Sequence, residues 1–134
     1  MSKMKKPTGR NQKIMYTLKE ITYAIQEVTG INIIRNDSRK SEVVDAKRIY
    51  SLLAFQRTHE NWEVIGDHID RSHSLMIHHK NRGLDYLKID KSFKNIYERC
   101  IYKIESLKDK SYIKDKIAEL ENETIKYKKI LQKI

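Results

Sequence analysis

A run of side chains, Arg71-Ser72-His73-Ser74-Leu75, is the part of this sequence best suited to contacting a ligand. Serine and histidine hydrogen-bond to phosphate oxygens and to base edges, and leucine offers an apolar surface to a thymine methyl group. At the start of a helix, such a run fits the major groove of duplex DNA, which admits one α-helix. That helix must be held rigidly by a second helix that crosses it.

Catalysis and metal binding find no comparable support. Four of the histidines lie close together along the chain: His68, His73, His78 and His79. Their spacings are not i and i+4, and no cysteine or carboxylate joins them in a ligand pattern. Asp67 beside His68 is read as a solvated polar residue, and no Ser-His-Asp, paired-carboxylate or Cys-His set is evident. We therefore expect no metal, no cofactor and no enzymatic activity.

Net charge is the most informative bulk property. The 134 residues include 28 Lys and Arg against 18 Asp and Glu, a formal charge of +10. A small basic protein attracts polyanions because neutralised phosphates release their condensed counterions. A solvated basic surface would have the same composition, so charge favours nucleic acid without deciding for it.

Cellular location is indicated by the single cysteine, by the lengths of the apolar runs and by the N-terminal residues. The single Cys100 cannot form an internal disulfide and fits a reducing cytoplasm, in a bacterial or phage-infected cell. No apolar run approaches the ~20 residues that cross a bilayer, so no membrane partner is expected. Residues 1–13 hold five basic residues and no acid. They predict a disordered basic tail without a secretory signal, either following a phosphate backbone or simply solvated.

The elements that would position the 71–75 run are helices. Residues 14–28 predict an amphipathic helix that Gly30 ends. A second helix is predicted from Glu42 to Gln56, with Ser38 or Ser41 as its cap. Its buried stripe would consist of Val43, Ala46, Ile49, Tyr50 and Leu53.

A short third helix and a longer fourth one follow. Asn61 is predicted to cap the helix Trp62–His68, whose inward side chains would be Trp62, Ile65 and Ile69. Asp70-Arg71-Ser72 would form the turn. The fourth helix would start near Ser72, and Gly83 would end or loosen it.

Residues 84–134 carry two apolar stripes. The first consists of Ile96, Cys100, Ile104 and Leu107. The second has heptad spacing and consists of Ile113, Ile117, Leu120, Thr124, Tyr127, Leu131 and Ile134. They fall out of phase around Lys108–Ser111, which predicts two helices with a break. The narrow second stripe predicts a partner helix, from the same chain or from a second copy in a homodimer.

From Arg39 to Leu87 the sequence resembles the C-terminal DNA-binding domain of DnaA, the bacterial chromosomal replication initiator. That domain has a long helix with an Ala/Pro-Arg pair, a threonine, a short helix with Leu-x-x-Ile-Gly, and a stretch similar to Gly-Arg-Asp-His-Thr-Thr-Val-Leu-His-Ala. The corresponding residues here are Val43, Val44, Ala46, Lys47, Ile49, Leu53, Thr58, Trp62, Ile65, Gly66 and Arg71–His79.

This resemblance implies an all-α fold: a helix-turn-helix, TrpR-like DNA-binding domain over residues 14–90 and a helical extension, able to form a coiled coil, over 91–134. It implies sequence-preferring binding of double-stranded DNA, at a replication origin or in the regulation of replication, as in a phage or mobile element. The Gly-x-x-x-x-Gly-Lys-[Ser/Thr] loop of an ATPase is absent, so no ATP is expected.

The resemblance also implies the site residues. Base contacts are expected in the major groove from Ser72, His73, Ser74 and Leu75, and in the minor groove from Arg39. Phosphate contacts are assigned to Lys40, Lys47, Arg71 and Lys80. His78 matches a family histidine on the same helix, and packing is its expected role.

Three departures from the family leave the target DNA sequence open. Ser72 stands where the family has aspartate, and Leu75 stands where it has the second threonine. Asp70 occupies a position where glycine is usual, in a turn that is one residue shorter. Three other functions therefore stay open: a transcriptional regulator, a protein module that binds or inhibits a host replication protein, and an RNA binder that acts through charge alone.

Overall fold

A computed structural model describes residues 15–133, excepting the side chains at 110–113, 116 and 133. Over this range the chain forms five helices and no strand: α1 Leu18–Thr29, α2 Ser41–Arg57, α3 Trp62–His68, α4 His73–Ile89 and α5 Lys91–Lys133. The predicted all-α class is thus confirmed for the described residues. None of these helices is both long and apolar enough to span a membrane. The predicted tail at 1–13 lies outside the described residues.

The ends of α1 are set by local hydrogen bonds. The Thr17 hydroxyl accepts from the Glu20 N–H at 3.1 Å, and the Glu20 carboxylate accepts from the Thr17 N–H at 2.8 Å. This capping box starts the helix later than the predicted residue 14. Gly30 has φ of 77°, and its N–H donates to the Gln26 carbonyl oxygen, which confirms the predicted stop.

The central helix is α2, which is buried on most of its circumference. Ile49, Tyr50, Leu52 and Leu53 are fully buried between the other helices. The predicted caps of α2 are wrong: Lys40 is the N-cap residue and makes no side-chain cap. The Ser38 hydroxyl instead accepts from the Lys40 N–H within the preceding loop, and Ser41 is already helical.

The connection between α3 and α4 is short and closed by backbone hydrogen bonds. The predicted Asn61 cap is confirmed, because its side chain accepts from the Val64 N–H at 3.0 Å. The fourth helix starts where predicted, and the Ser72 hydroxyl caps it by accepting from the Leu75 N–H at 3.2 Å. Between the two helices, the Arg71 N–H donates to the Gly66 carbonyl oxygen at 2.9 Å. Residues 69–72 therefore fix the direction in which α4 leaves α3.

Gly83 does not end or loosen α4, contrary to the sequence prediction. The helix continues through Gly83 to Ile89. A Cβ at position 83 would lie 2.8 Å from Leu52 Cδ1 and 3.4 Å from the Arg48 carbonyl oxygen. The glycine is needed because α2 and α4 approach each other closely there, and packing of this kind outweighs its low helix propensity.

The predicted break at 108–111 is also wrong, because α5 is one helix from Lys91 to Lys133. Its first part packs on α1, α2 and α4 through the buried Phe93, Cys100 and Ile104. The later stripe lies on roughly the opposite side of the helix, at 3.6 residues per turn. The change of phase therefore marks where the stripe that packs on the core ends, and the backbone continues because positions 91–133 contain neither glycine nor proline.

The apolar core extends across residue 90. Phe93, Cys100 and Ile104 of α5 belong to the same buried cluster as Tyr50 of α2 and Met76 of α4. The division of the chain at 90 and 91 stays a prediction, and the shared core makes it testable by truncation.

Candidate nucleic-acid interface

The first turn of α4 is presented to solvent. His73 and Ser74 are exposed, and Leu75 is half-buried against the core. Ser72 is exposed too, and its hydroxyl oxygen accepts the capping hydrogen bond, which leaves its O–H free to donate elsewhere. Of the four residues predicted to contact bases at the start of α4, Ser72, His73 and Ser74 are therefore accessible. The fourth, Leu75, packs partly against the core and supports this turn.

The exposed side of α4 continues beyond the predicted residues. His78 and Asn81 lie four and seven residues after Ser74, and both are exposed. The prediction that His78 packs is wrong, because the buried histidine of this helix is its neighbour His79. The i, i+4, i+7 spacing from Ser74 was the sequence signal that could have identified this face.

Two cations, Lys47 and Arg71, meet beside the start of α4. Lys47 is only 5% exposed, and burial lowers its pKa, as does the neighbouring Arg71, while Asp37 acts in the opposite direction. Buried lysine stems usually keep the ammonium at the protein surface. An anion placed against these two side chains would relieve their mutual repulsion.

Arg71 has unused hydrogen-bonding capacity. One guanidinium nitrogen, Nη1, donates to the Asp70 carbonyl oxygen at 2.7 Å. The other, Nη2, is buried and has no partner among the described residues. An unpaired buried N–H of a charged group is costly, so this side chain would be stabilised if the guanidinium turned outward and met an acceptor supplied by a ligand.

The loop that carries Arg39 and Lys40 is tied to the turn before α4. The Arg35 N–H donates to the Ile69 carbonyl oxygen at 3.1 Å, and Arg35 itself has φ of 56°. Arg39 and Lys40 are exposed. The structure thus brings this basic loop next to the Arg71 turn, and it adds Arg35 as a basic residue that the sequence reading missed.

Lys80 is held on an aromatic surface. Its ammonium lies 4.7 Å from the centroid of the Phe55 ring, and Phe55 stacks on Trp62 at 5.6 Å. Lys80 is seven residues after His73 and therefore lies on the same side of α4. Trp62 is half-buried and packs against the core, as the sequence indicated.

Two histidines near this surface are structural. His68 stacks on Tyr50 with ring centroids 6.2 Å apart, and its Nε2 lies 3.3 Å from the Thr22 hydroxyl. His79 is 7% exposed, and burial, followed by Arg48 and other nearby basic groups, lowers its pKa to about 4. Among the described residues, no group of three or more His, Cys, Asp or Glu side chains could hold a metal ion.

Gly66 permits the close approach of α3 to the turn. A Cβ at this position would collide with the Arg71 carbonyl oxygen and lie 3.2 Å from the Ser72 carbonyl carbon. We expect Gly66→Ala to lower the free energy of unfolding by about 1–3 kcal/mol and to displace the start of α4, because backbone cannot move aside as a side chain can. Urea denaturation measures the first effect.

Gly83→Ala is the matched control for this substitution. The nearest atoms there belong to the buried Leu52 side chain, which can shift further than backbone can, so the added methyl group should destabilise the fold less than at Gly66. If Gly66→Ala unfolds at the same urea concentration as Gly83→Ala, the turn is not held by this contact.

No protein-family model matches this chain, and no curated protein matches it. The resemblance to the DnaA domain therefore rests on residues 39–87 alone.

Proposed function

We propose that this protein binds double-stranded DNA, with α3 and α4 acting as a helix-turn-helix and the start of α4 lying in the major groove. One observation carries the proposal: the exposed polar turn of α4 is flanked by basic side chains whose charge and hydrogen-bonding groups are not fully satisfied by residues 15–133 of the described structure. Lys47 and Arg71 are the clearest of these.

Size and surface support this placement. An α-helix with its side chains is about 10–12 Å across, and the major groove is about 12 Å wide. The exposed side of α4 offers Ser74, His78 and Asn81 on one face, with His73 at its edge. Each of these side chains can hydrogen-bond to a base edge or to a phosphate oxygen.

The basic residues fit contacts to the DNA backbone. Arg71 and Lys47 lie beside the first turn of α4, where phosphates flank a helix that enters the groove. Arg39 and Lys40, on the loop tied to this turn, would follow the duplex to the adjacent minor groove and backbone. Lys80, held over Phe55, would supply a phosphate contact from the side of α4.

A biological role in replication initiation or its regulation is proposed from the sequence resemblance. A homodimer through the C-terminal helix is proposed as the working form, and the protein is proposed to act without ATP and without an enzymatic step.

Selection of bound duplexes from a random pool tests the DNA proposal. We expect one motif to be enriched, and His73→Ala to relax it at one base pair with a loss of roughly 1–3 kcal/mol, or about 5- to 150-fold in affinity. Arg39→Ala should reduce the preference at a flanking A·T-rich position. His59→Ala, which changes an exposed histidine outside this surface, should leave the motif unchanged.

A salt titration separates the phosphate contacts from the base contacts. Lys47→Ala should weaken all duplex sequences alike and lower the salt slope by about one, whereas the exposed Lys129→Ala on α5 should change neither. Absence of any duplex binding at low salt would favour the protein-interaction module. Equal affinity for single-stranded RNA, with no effect of His73→Ala, would indicate binding by charge alone.

A further inference from the structure

The last part of α5 extends away from the core. From residue 114 to residue 132 every described side chain is exposed. This distal segment nevertheless carries a row of apolar residues at heptad spacing, interrupted by one threonine, and we call this row the seam: Ile117, Leu120, Thr124, Tyr127 and Leu131. A stripe of this spacing is what one helix of a coiled coil presents to its partner.

The protein's own core cannot cover the seam. Within α5, Cys100 and Ile104 point at α1 and the core, and the ion pair of Lys108 with Glu20, at 3.3 Å, marks where the helix leaves that surface. The seam lies on roughly the opposite side of the same continuous helix. The seam is therefore left open to a partner from outside the described residues.

Residue types in the seam favour a pair of helices. In the first heptad of the seam, Ile117 occupies an a position and Leu120 the following d position, the combination that favours two strands over three or four. Leu131, at the last a position, carries no such preference. Thr124 stands at the intervening a position, and its hydroxyl donates to the Leu120 carbonyl oxygen of the same helix at 3.0 Å, so it places no unpaired polar group in the seam.

Charges beside the seam identify the occupant and its direction. In a parallel pair, each g residue meets the e residue five positions later in the other helix. Asp109 would meet Lys114 of a second copy, and Glu123 would meet Lys128 of that copy, and both pairs have opposite signs.

The antiparallel register that pairs Ile117 with Tyr127 would instead oppose Lys114 to Lys128. The other register that overlaps the seam equally well keeps one opposite-charge pair, Glu121 with Lys128, against the two of the parallel arrangement.

We infer that the distal segment pairs with that of a second copy of this chain in a parallel, two-stranded coiled coil. A parallel pair places both α4 helices at the same end of the assembly, related by a two-fold axis. The consequence for DNA rests on the proposed function. If the protein binds duplex DNA as proposed, this arrangement selects inverted repeats whose half-sites lie about one helical turn, or a multiple of it, apart.

Sedimentation of the full chain without DNA tests the pairing directly. The chain should sediment as a dimer at micromolar concentration, and Leu120→Glu should sediment as a monomer. Ile125→Glu is the matched control, because Ile125 is 52% exposed against 53% for Leu120 but lies outside the seam, and it should remain dimeric. A monomeric wild-type chain, or equal effects of the two substitutions, would overturn the proposal.

A charge exchange tests the direction. Glu123→Lys and Lys128→Glu should each weaken self-association roughly ten-fold at low salt, since each brings like charges together. The double variant should recover, and an equimolar mixture of the two single variants should form heterodimers. If the double variant associates no better than the single variants, the parallel arrangement is wrong.

DNA binding then separates this inference from the function on which it rests. Leu120→Glu should bind a single half-site as well as the wild type does, while losing the preference for inverted repeats. A wild-type preference for direct repeats would contradict the two-fold pairing. A dimer that binds no duplex would contradict the DNA function alone and leave the coiled coil standing.

Discussion

A chain truncated after Asp90 is expected to lose cooperative unfolding, whereas a chain truncated after Asp109 is expected to keep it. The shorter chain loses the buried Phe93, Cys100 and Ile104, which complete the core around α1, α2 and α4. Burial of one large apolar side chain contributes about 1.5–3 kcal/mol, and whole domains are stable by only about 5–15 kcal/mol. The residues after 109 add no described side chain to that core.

Thermal unfolding followed by circular dichroism measures this difference. A milder form of the experiment is Phe93→Ala, which should lower the free energy of unfolding by about 3–5 kcal/mol, while Tyr102→Ala, at an exposed position of the same helix, should change it by less than about 0.5 kcal/mol. A cooperative transition in the chain ending at Asp90 would show that residues 14–90 fold alone, as the sequence suggested.

Acidification from pH 7 to pH 4 is expected to lower the free energy of unfolding by about 3 kcal/mol through His79. Burial depresses the pKa of His79 to about 4 in the folded chain, while the unfolded side chain titrates near pH 6.5. Between these values the unfolded state binds more protons, so stability rises with pH across that window. The contribution of neutral His79 to the free energy of unfolding is fully present above about pH 6.5 and is lost as the pH falls toward 4.

Urea denaturation at several pH values, with His79→Gln as the comparison, isolates this contribution from the carboxyl groups. Glutamine is uncharged over the whole range, so the variant should show a shallower dependence between pH 4 and pH 6.5. His78→Gln, at the exposed neighbouring position, should retain the wild-type dependence. Equal slopes for the wild type and His79→Gln would mean that His79 is not buried as a neutral group.

This acid sensitivity bears on the proposed interface. His79 lies on the buried side of α4, opposite the face that carries Ser74 and Asn81. Protonation of His79 would introduce a charge beside Arg48 and Lys47, which already lower its pKa. The same change that destabilises the fold would therefore loosen the packing that orients α4.

Several features could be predicted from the sequence because their causes are local. Asn61 and Ser72 cap α3 and α4 through hydrogen bonds that span only three residues, and Gly30 adopts the left-handed conformation that ends α1. These contacts depend on neighbouring residue types, so the chain determines them before it folds. The helix bounds near the proposed site were correct for this reason.

The buried face of a helix is not determined by neighbouring residues in this way, because it depends on contacts with distant parts of the chain. His78 and His79 are adjacent and have the same chemistry, but α4 rotates only one of them against α2. The close approach of Gly83 to Leu52 fixes that rotation, and it is a contact between residues 31 positions apart. The sequence reading accordingly assigned packing to the wrong histidine.

Lys47 and the two apolar stripes of α5 also separate what the sequence determines from what tertiary packing determines. The residue types alone established a basic, all-helical chain with a polar run at 71–75 and a heptad seam near its end, because composition and periodicity are properties of the sequence. Tertiary packing decided that Lys47 is largely buried beside Arg71, and that the Arg39 loop joins the turn before α4. It also decided that the two stripes lie on one continuous helix, of which the first packs on the core. Those outcomes depend on which surfaces meet in space, and surfaces meet only when distant parts of the chain pack together.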